Sequence, residues 1–381
     1  MMKTEQTSHI LVEDLSQLNQ IAEELKKVAA IGVDLEADSL FHYYEKVCLL
    51  QVSTPLRNML IDPLAIGDLS PLKTIFSDAH IRKVFHGADY DIRSLNRDFD
   101  IEVNGLFDTQ IAASFLGVKE TGLANLLKDR FNLTIEKKYQ KKDWSKRPLP
   151  KAMLEYAIRD SFFLIPLAEM LEKELQSKGR LFCVEEECER LSKVRVVQND
   201  HTPLFLKFKG AGKIDPRSLT VLEAILQFRD RMAQGQDRPH FKVMENGQIK
   251  KMIMVKPRNL KDLAEMRCLS SKQISWFGRP LLKQISKALN ISENKLLVYP
   301  KKNGRCLSPK IAKRVRILKE WREQRAGQLG IDPSLVCPNS QIQALAIFNP
   351  KTREALKEIS EMKNWQRKFF GNEICLVLNP R

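Results

Sequence analysis

The chain has no apolar run long enough to cross a bilayer, and its first residues, Met1-Met2-Lys3-Thr4-Glu5-Gln6, are polar. Neither a membrane span nor a signal peptide is expected. It also lacks any Cys-x-x-Cys pair. Its seven cysteines are scattered and odd in number. That argues against a disulfide framework or a zinc site and for reduced thiols in a cytoplasmic protein. Acidic charge is what the second half lacks. Residues 201–381 hold 36 Lys and Arg against 15 Asp and Glu, a surplus of 21, whereas residues 1–200 carry a net charge of −5. So lopsided a balance reads as a surface built to meet a polyanion, most simply nucleic acid. The plainer reading is a basic surface kept for solubility. At 381 residues and 43% apolar side chains, two or three packed domains are expected.

What is present is organised around Val33-Asp34-Leu35-Glu36. The run Ala29-Ala30-Ile31-Gly32-Val33 before it is apolar, as is Leu35 within it, so the segment reads as a buried strand. Side chains two apart on a strand share a face, which puts Asp34 and Glu36 side by side, roughly 7 Å apart at Cα. Buried carboxylates are costly without a cationic partner. Alone, the pair fits a strand end with two solvated acids better than a functional site.

A helix is expected over Asp14–Lys27. Val47–Val52 and Asn58–Asp62 are expected as strands antiparallel to the first. Ser70-Pro71 should open a helix through Phe76, and Lys83–His86 is a further strand. Helices follow over Ala88–Phe99, Asp108–Gly117 and Gly122–Phe131. A basic aperiodic loop covers Glu136–Pro150, and a helix covers Ala152–Leu175 with a kink at Pro166. Strands first and helices afterwards argue for an α/β fold, a mixed sheet covered by helices. The pattern lapses at 199–215 and 292–305, which read as linkers. The segments after the two linkers repeat one another at a constant offset of 93. Phe228-Arg229 falls on Trp321-Arg322, Gln248-Ile249 on Gln341-Ile342, and Phe277-Gly278 on Phe370-Gly371. Both copies are helical in pattern, which indicates a duplicated small domain. Three domains follow, over 1–200, 213–291 and 306–381. Trp276, Phe277, Trp321 and Phe369 are expected mostly in the cores of the copies.

Asp91, in His86-Gly87-Ala88-Asp89-Tyr90-Asp91, lies early in a helix after a strand. Alone it fits a first-turn acid complementing the helix dipole. Tyr156 and Asp160 stand four apart and share a helix face. Together, Asp34, Glu36, Asp91 and Asp160 form an all-oxygen donor set suited to Mg²⁺ or Mn²⁺. Neighbouring carboxylates about 5 Å apart repel by roughly 3 kcal/mol per pair at an effective dielectric near 20. Two divalent ions would offset that repulsion and could clamp both oxygens of a phosphodiester displacement.

These three stretches resemble the exonuclease motifs of the DEDD superfamily, and the tyrosine four before the last aspartate is the mark of its DEDDy branch. Asp108-Thr109-Gln110, Asp143-Trp144, Arg147-Pro148-Leu149 and Tyr156-Ala157 are similar to ribonuclease D, and the repeats resemble HRDC domains. The His86-Gly87-Ala88-Asp89 wording is also similar to the nuclear exosome's exonuclease, but two HRDC copies favour the bacterial type. The resemblance implies a ribonuclease H-like mixed-sheet exonuclease domain followed by two small all-helical HRDC domains. It implies a two-ion 3′-to-5′ exoribonuclease releasing 5′-mononucleotides, acting on tRNA precursors and other structured RNA, with no membrane and no small-molecule cofactor. It also implies that Asp34 bridges both ions, Glu36 and Asp160 complete the first site, Asp91 holds the second, and Tyr156 positions the nucleophile. Pro150 departs from the family's Ser or Thr helix cap and should alter only the helix start. A nucleic-acid-binding adaptor with vestigial acids and a DNA exonuclease of the same chemistry are the alternatives.

His86 adjoins the second motif and reads either as a contact to the terminal nucleotide or as a packed turn residue. Lys137, Lys138, Lys141, Lys142, Lys146 and Arg147 make the 136–150 loop basic. It reads either as contacting phosphates, chiefly through Lys141, Lys142 and Arg147, or as a solvated loop that Trp144 anchors.

Overall fold

The computed structural model describes residues 9–135, 138–196, 202–300 and 308–380. Lys137, part of 199–215 and part of 292–305 lie outside them. The first elements are β1 (His9–Val12), α1 (Leu15–Leu25), β2 (Ala30–Ala37), β3 (Val47–Ser53), β4 (Asn58–Ile61), α2 (Pro63–Ile66), α3 (Ser70–Ser77) and β5 (Arg82–Phe85). Then come α4 (Asp89–Phe99), β6 (Leu106–Asp108), α5 (Thr109–Leu116), α6 (Leu123–Phe131), α7 (Lys151–Phe162), α8 (Leu164–Ser177) and α9 (Leu181–Ser192). The six strands form one mixed sheet in the order β1-β4-β3-β2-β5-β6. β3 runs antiparallel to β2 and β4, and β5 parallel to β2 and β6.

The alternation along β2 sorts the two faces. Ile31, Val33 and Leu35 join a core with Leu18, Ile21 and Leu25 of α1, Leu72, Ile75 and Phe76 of α3, and Ile92 and Leu95 of α4. Gly32, Asp34 and Glu36 alternate with them and take the other face. Gly32 is there for space: a Cβ would lie 2.6 Å from Ser53 Oγ and 2.7 Å from the Ser161 carbonyl. Ser53 Oγ donates to that same carbonyl at 2.7 Å, so the missing methyl lets the end of α7 close on β2.

Four features differ from the sequence expectation. β4, expected antiparallel to β2, pairs antiparallel with β3 instead and so runs parallel to β2, because two successive hairpin reversals restore the direction. The helix expected over Ala152–Leu175 is two helices, broken at Phe163. Pro166 lacks an N–H and its ring crowds the carbonyl four residues back, that of Phe162, which is where α7 stops. Edge strands β1 and β6, four and three residues long, carry too short a pattern to read from sequence. Helix α9 was also not foreseen; its buried side chains are Cys183, Val184, Cys188 and Ser192, among acidic neighbours.

The duplicated segments repeat element for element. α10 (Pro216–Gly235), α11 (His240–Val243), α12 (Asn246–Val255), α13 (Leu260–Glu265) and α14 (Ser271–Leu289) form the first copy. α15 (Pro309–Leu329), α16 (Pro333–Val336), α17 (Asn339–Phe348) and α18 (Asn364–Leu378) form the second, with a short 3₁₀ turn at Glu354–Glu358 where α13 stands in the first. α12 and α17 coincide at both ends after the shift of 93. The same hydrogen bonds recur. Arg229 donates to Met244 O and Asn246 Oδ1, and Arg322 to Cys337 O and Asn339 Oδ1. Phe277 is buried and Trp321 and Phe369 pack in the second copy, but Trp276 is 42% exposed.

Two compact units divide the chain. Of the described residues, one holds those within 9–37, 47–196 and 308–380; the other holds 38–46 and 202–300. The second copy thus shares a unit with the sheet. Glu186 of α9 accepts from the backbone N–H groups of Asn364 and Trp365 at 2.7 Å each, capping α18. Glu187 pairs with Lys363 at 2.5 Å and accepts from Trp365 Nε1 at 2.8 Å. Trp365 meets Phe115 edge-on, and Phe182 stacks on Phe369. No helix among the described residues is long and apolar enough to cross a membrane.

Candidate active site

The acids meet on the Gly32 face of β2, in its C-terminal half. One carboxylate oxygen each from Asp34, Glu36 and Asp160 lie within 4.8 Å of one another. β2 supplies the first two at i and i+2. α7 crosses β2, β3 and β4 on that face and supplies the third. Met153, Tyr156, Ala157 and Ile158 pack the helix against Cys48, Leu49 and Leu60. Asp91, in the first turn of α4, lies outside the three-membered group but is near enough to raise the proton affinity of Asp34 and Glu36. Its place follows from a turn held by Asp108, whose carboxylate accepts from the N–H groups of Gly87 at 3.1 Å and Ala88 at 2.7 Å. Asp108 also caps α5 through Gln110 and Ile111. The cap was legible in the sequence; its grip on the Gly87–Ala88 turn was not.

The electrostatics are those of crowded, dehydrated anions. Burial pushes Asp34 and Glu36 well above the usual carboxylate range, and the neighbouring acids add to it. Burial, with Asp108 and Asp89 alongside, pushes Asp91 up to about 7. Burial pushes Asp160 up to about 6, partly offset by a hydrogen bond from Tyr156. Glu36, Asp91 and Tyr156 are 9%, 8% and 6% exposed. Burial and the adjacent acids raise Tyr156 above its ordinary value, so its hydroxyl stays protonated and donates. The donor set fits a hard divalent cation: carboxylate oxygens only, close together, with no Lys or Arg paired to the three among the described residues.

The loop before α7 frames Tyr156. The Tyr139 and Trp144 ring centroids stand 5.7 and 6.3 Å from its own. Trp144 is fully buried. Arg147 meets Asp62 through two bonds, at 2.5 and 2.7 Å, and donates to Cys48 O at 2.8 Å. Its guanidinium therefore fastens the loop to β3 and α2, where the sequence suggested a contact to phosphate. Lys141 and Lys142 are exposed. α7 starts at Pro150, which offers no side-chain cap; its carbonyl accepts from Met153 N–H at 2.8 Å. His86 Nδ1 lies 2.9 Å from Thr109 Oγ1, which itself donates to Phe85 O, so the ring nitrogen is the donor of the pair. Burial lowers the His86 pKa.

Gln51 was not foreseen. It pairs directly with Asp34 across β2 and β3, which places both side chains on one face. It is fully buried, and neither amide atom has a partner among the described residues. The available signal was a single amide inside the apolar run Val47–Val52.

The 3′-5′ exonuclease family model matches residues 9–176, and the HRDC domain model matches 218–285 and 312–378. Ribonuclease D of Haemophilus influenzae is 30% identical over 339 residues, covering 88% of this chain and 84% of that protein. The crystal structure of Escherichia coli RNase D, an exoribonuclease involved in structured RNA processing, is 25% identical and covers 98% of this chain and 99% of that one, with a TM-score of 0.73. The catalytic core of RRP6 from Trypanosoma brucei is 27% identical, covers 75% and 82% of the two chains, and gives a TM-score of 0.66. The family model spans every acid of the cluster, and the relatives span the sheet and both helical copies: the chain belongs to the ribonuclease D family of 3′-to-5′ exoribonucleases.

Proposed function

We propose that the chain hydrolyses RNA one nucleotide at a time from its 3′ end, with tRNA precursors and other structured RNA as substrates. The observation that carries this is the convergence of Asp34, Glu36 and Asp160 within 4.8 Å, with Asp91 beside them. These acids would hold two divalent ions, Mg²⁺ or Mn²⁺, which supply water activation and neutralise charge developing on the phosphodiester. A water oxygen bonds to the terminal phosphorus, the bond to the preceding 3′-oxygen breaks, and that oxygen takes up a proton. A 5′-mononucleotide leaves. Tyr156 stays protonated at neutral pH and orients the attacking water through its hydroxyl, held by Asp160. Lys141 and Lys142, exposed on the loop that frames Tyr156, contact backbone phosphates, and His86 lies by the terminal nucleotide.

Asp34→Asn and Asp160→Asn test the reading. Each should lower single-turnover cleavage by about 10³-fold or more, equivalent to several kcal/mol of transition-state stabilisation, while RNA affinity persists. Cleavage at the wild-type rate in either variant contradicts the reading.

A further inference from the structure

The first helical copy has a cavity of about 430 Å³ lined by Arg217, Lys256, Arg258, Ser286, Leu289 and Asn290. Three cations line it, and two hydrogen-bonding side chains complete its polar rim. Arg217, at the start of α10, is held in place by neutral acceptors. Its Nη1 donates to Ala288 O at 3.4 Å, to Leu289 O at 3.0 Å and to Ile291 O. Carbonyls fix the guanidinium without cancelling its charge. Lys256 sits at the left-handed end of α12, φ 54°. The acid that acts on it, Asp215, is occupied as the cap of α10, accepting from Ser218 N–H at 2.9 Å. The nearby Asp262 carboxylate accepts the Arg258 backbone N–H, not its side chain. Neither Lys256 nor Arg258 has an ion-pair partner among the described residues.

The second copy is an internal control. Its counterparts to Arg217, Lys256, Arg258 and Ser286 are Lys310, Asn349, Lys351 and Asn379. Asn349 keeps the left-handed backbone, φ 53°, but donates its amide to Asn379 Oδ1 at 3.3 Å, and Asn379 donates to Pro350 O at 3.0 Å. The position that is cationic in one copy is closed by an amide bridge in the other. The scaffold has no folding need for the middle cation, since α12 and α17 form alike with Lys256 and with Asn349 at that place.

We infer that the first copy's cavity is a phosphate seat that binds the RNA backbone through residues other than the carboxylate cluster. An arginine with fixed orientation and two unpaired cations match the geometry and charge of a phosphodiester. The choice of RNA over a free phosphate rests on the exoribonuclease reading above.

The test uses the full-length protein, a single-stranded RNA and a chelator that prevents turnover. Affinity is measured between about 50 and 200 mM salt. Lys256→Asn/Arg258→Gln, which installs the second copy's own residue at the left-handed position, should flatten the slope of log K against log salt by about 1.4, some 0.7 per lost contact. Lys310→Gln/Lys351→Gln in the second copy should leave the slope unaltered. If the double variant melts early, Lys256→Asn alone should show half the effect. Equal slopes for wild type and first-copy variant overturn the proposal, as does an equal loss from both copies. A second arm follows melting with inorganic phosphate. Stabilisation of wild type alone, with slopes unchanged, makes this a free-anion site and also overturns the RNA assignment. Nuclease activity is read separately. A wild type that binds RNA through this cavity but releases no mononucleotides would count against the proposed function and leave the seat standing.

Discussion

The carboxylates of β2 and α7 and the cations of the first helical copy are crowds of like charge with opposite signs. In neither place does an ion pair among the described residues neutralise the crowd. Among the acids, burial raises proton affinity, pushing Asp91 up to about 7 and Asp160 up to about 6. Lys256 and Arg258 respond by staying near solvent. The second copy differs from both, because Lys363 is met by Glu187 at 2.5 Å and the start of α18 is capped by Glu186. Charge that is neutralised within the fold marks a joint; charge that is left over marks a place for a ligand.

The largest effect should come from breaking the joint. Trp365 is buried between Phe115 and Glu187. Trp365→Ala should cost about 3–5 kcal/mol, as for other buried tryptophans. Trp276→Ala in the first copy, at 42% exposure, should stay within about 0.5 kcal/mol. Denaturant midpoints at constant slope measure both. Similar losses from the two would remove the distinction between a buried joint and a half-exposed ring.

Next is the response of the acids to pH. Their folded pKa values are raised above the unfolded ones, so the folded protein binds extra protons between about pH 4 and 7. Metal-free stability should therefore fall as pH rises through that window, by about 1.4 kcal/mol for each tenfold gain in a carboxylate's proton affinity on folding. Asp34→Asn removes one of the repelling anions and should raise metal-free stability at pH 8. Mn²⁺ at about 100 times its Kd should add roughly 2.7 kcal/mol at that pH. Thermal melts at pH 5 and pH 8, with and without metal, check the sign. Metal-free protein that gains stability toward pH 8 would contradict the crowding described for the cluster.

The smallest effect tests Tyr156. Tyr156→Phe keeps the ring between Tyr139 and Trp144 but removes the hydroxyl bound to Asp160. Cleavage should slow by about 10–100-fold, the scale of one hydrogen bond to a charged group, with melting unchanged. An unaltered rate would remove Tyr156 from the chemistry.

Much of this was legible in sequence because it is local or periodic. The alternation of β2 put Asp34 and Glu36 on one face, the i,i+4 spacing put Tyr156 with Asp160, and the constant 93-residue offset marked the two helical copies as a duplication. What escaped is tertiary. Glu186 and Glu187 read as ordinary surface acids until α18 meets them. Arg147 carries no sequence mark that its partner is Asp62, 85 residues away. Strands of three and four residues hold too little pattern to stand out, yet β6 ends in Asp108, which holds the turn before Asp91.

The most direct test follows the products from a 3′-labelled RNA with a tRNA-like stem and a short 3′ extension, with Mg²⁺ or Mn²⁺ and then with a chelator. Labelled 5′-mononucleotide should appear only while a divalent ion is present. Mononucleotide release that continues under chelation, or internal fragments in its place, would contradict a metal site built from Asp34, Glu36, Asp91 and Asp160.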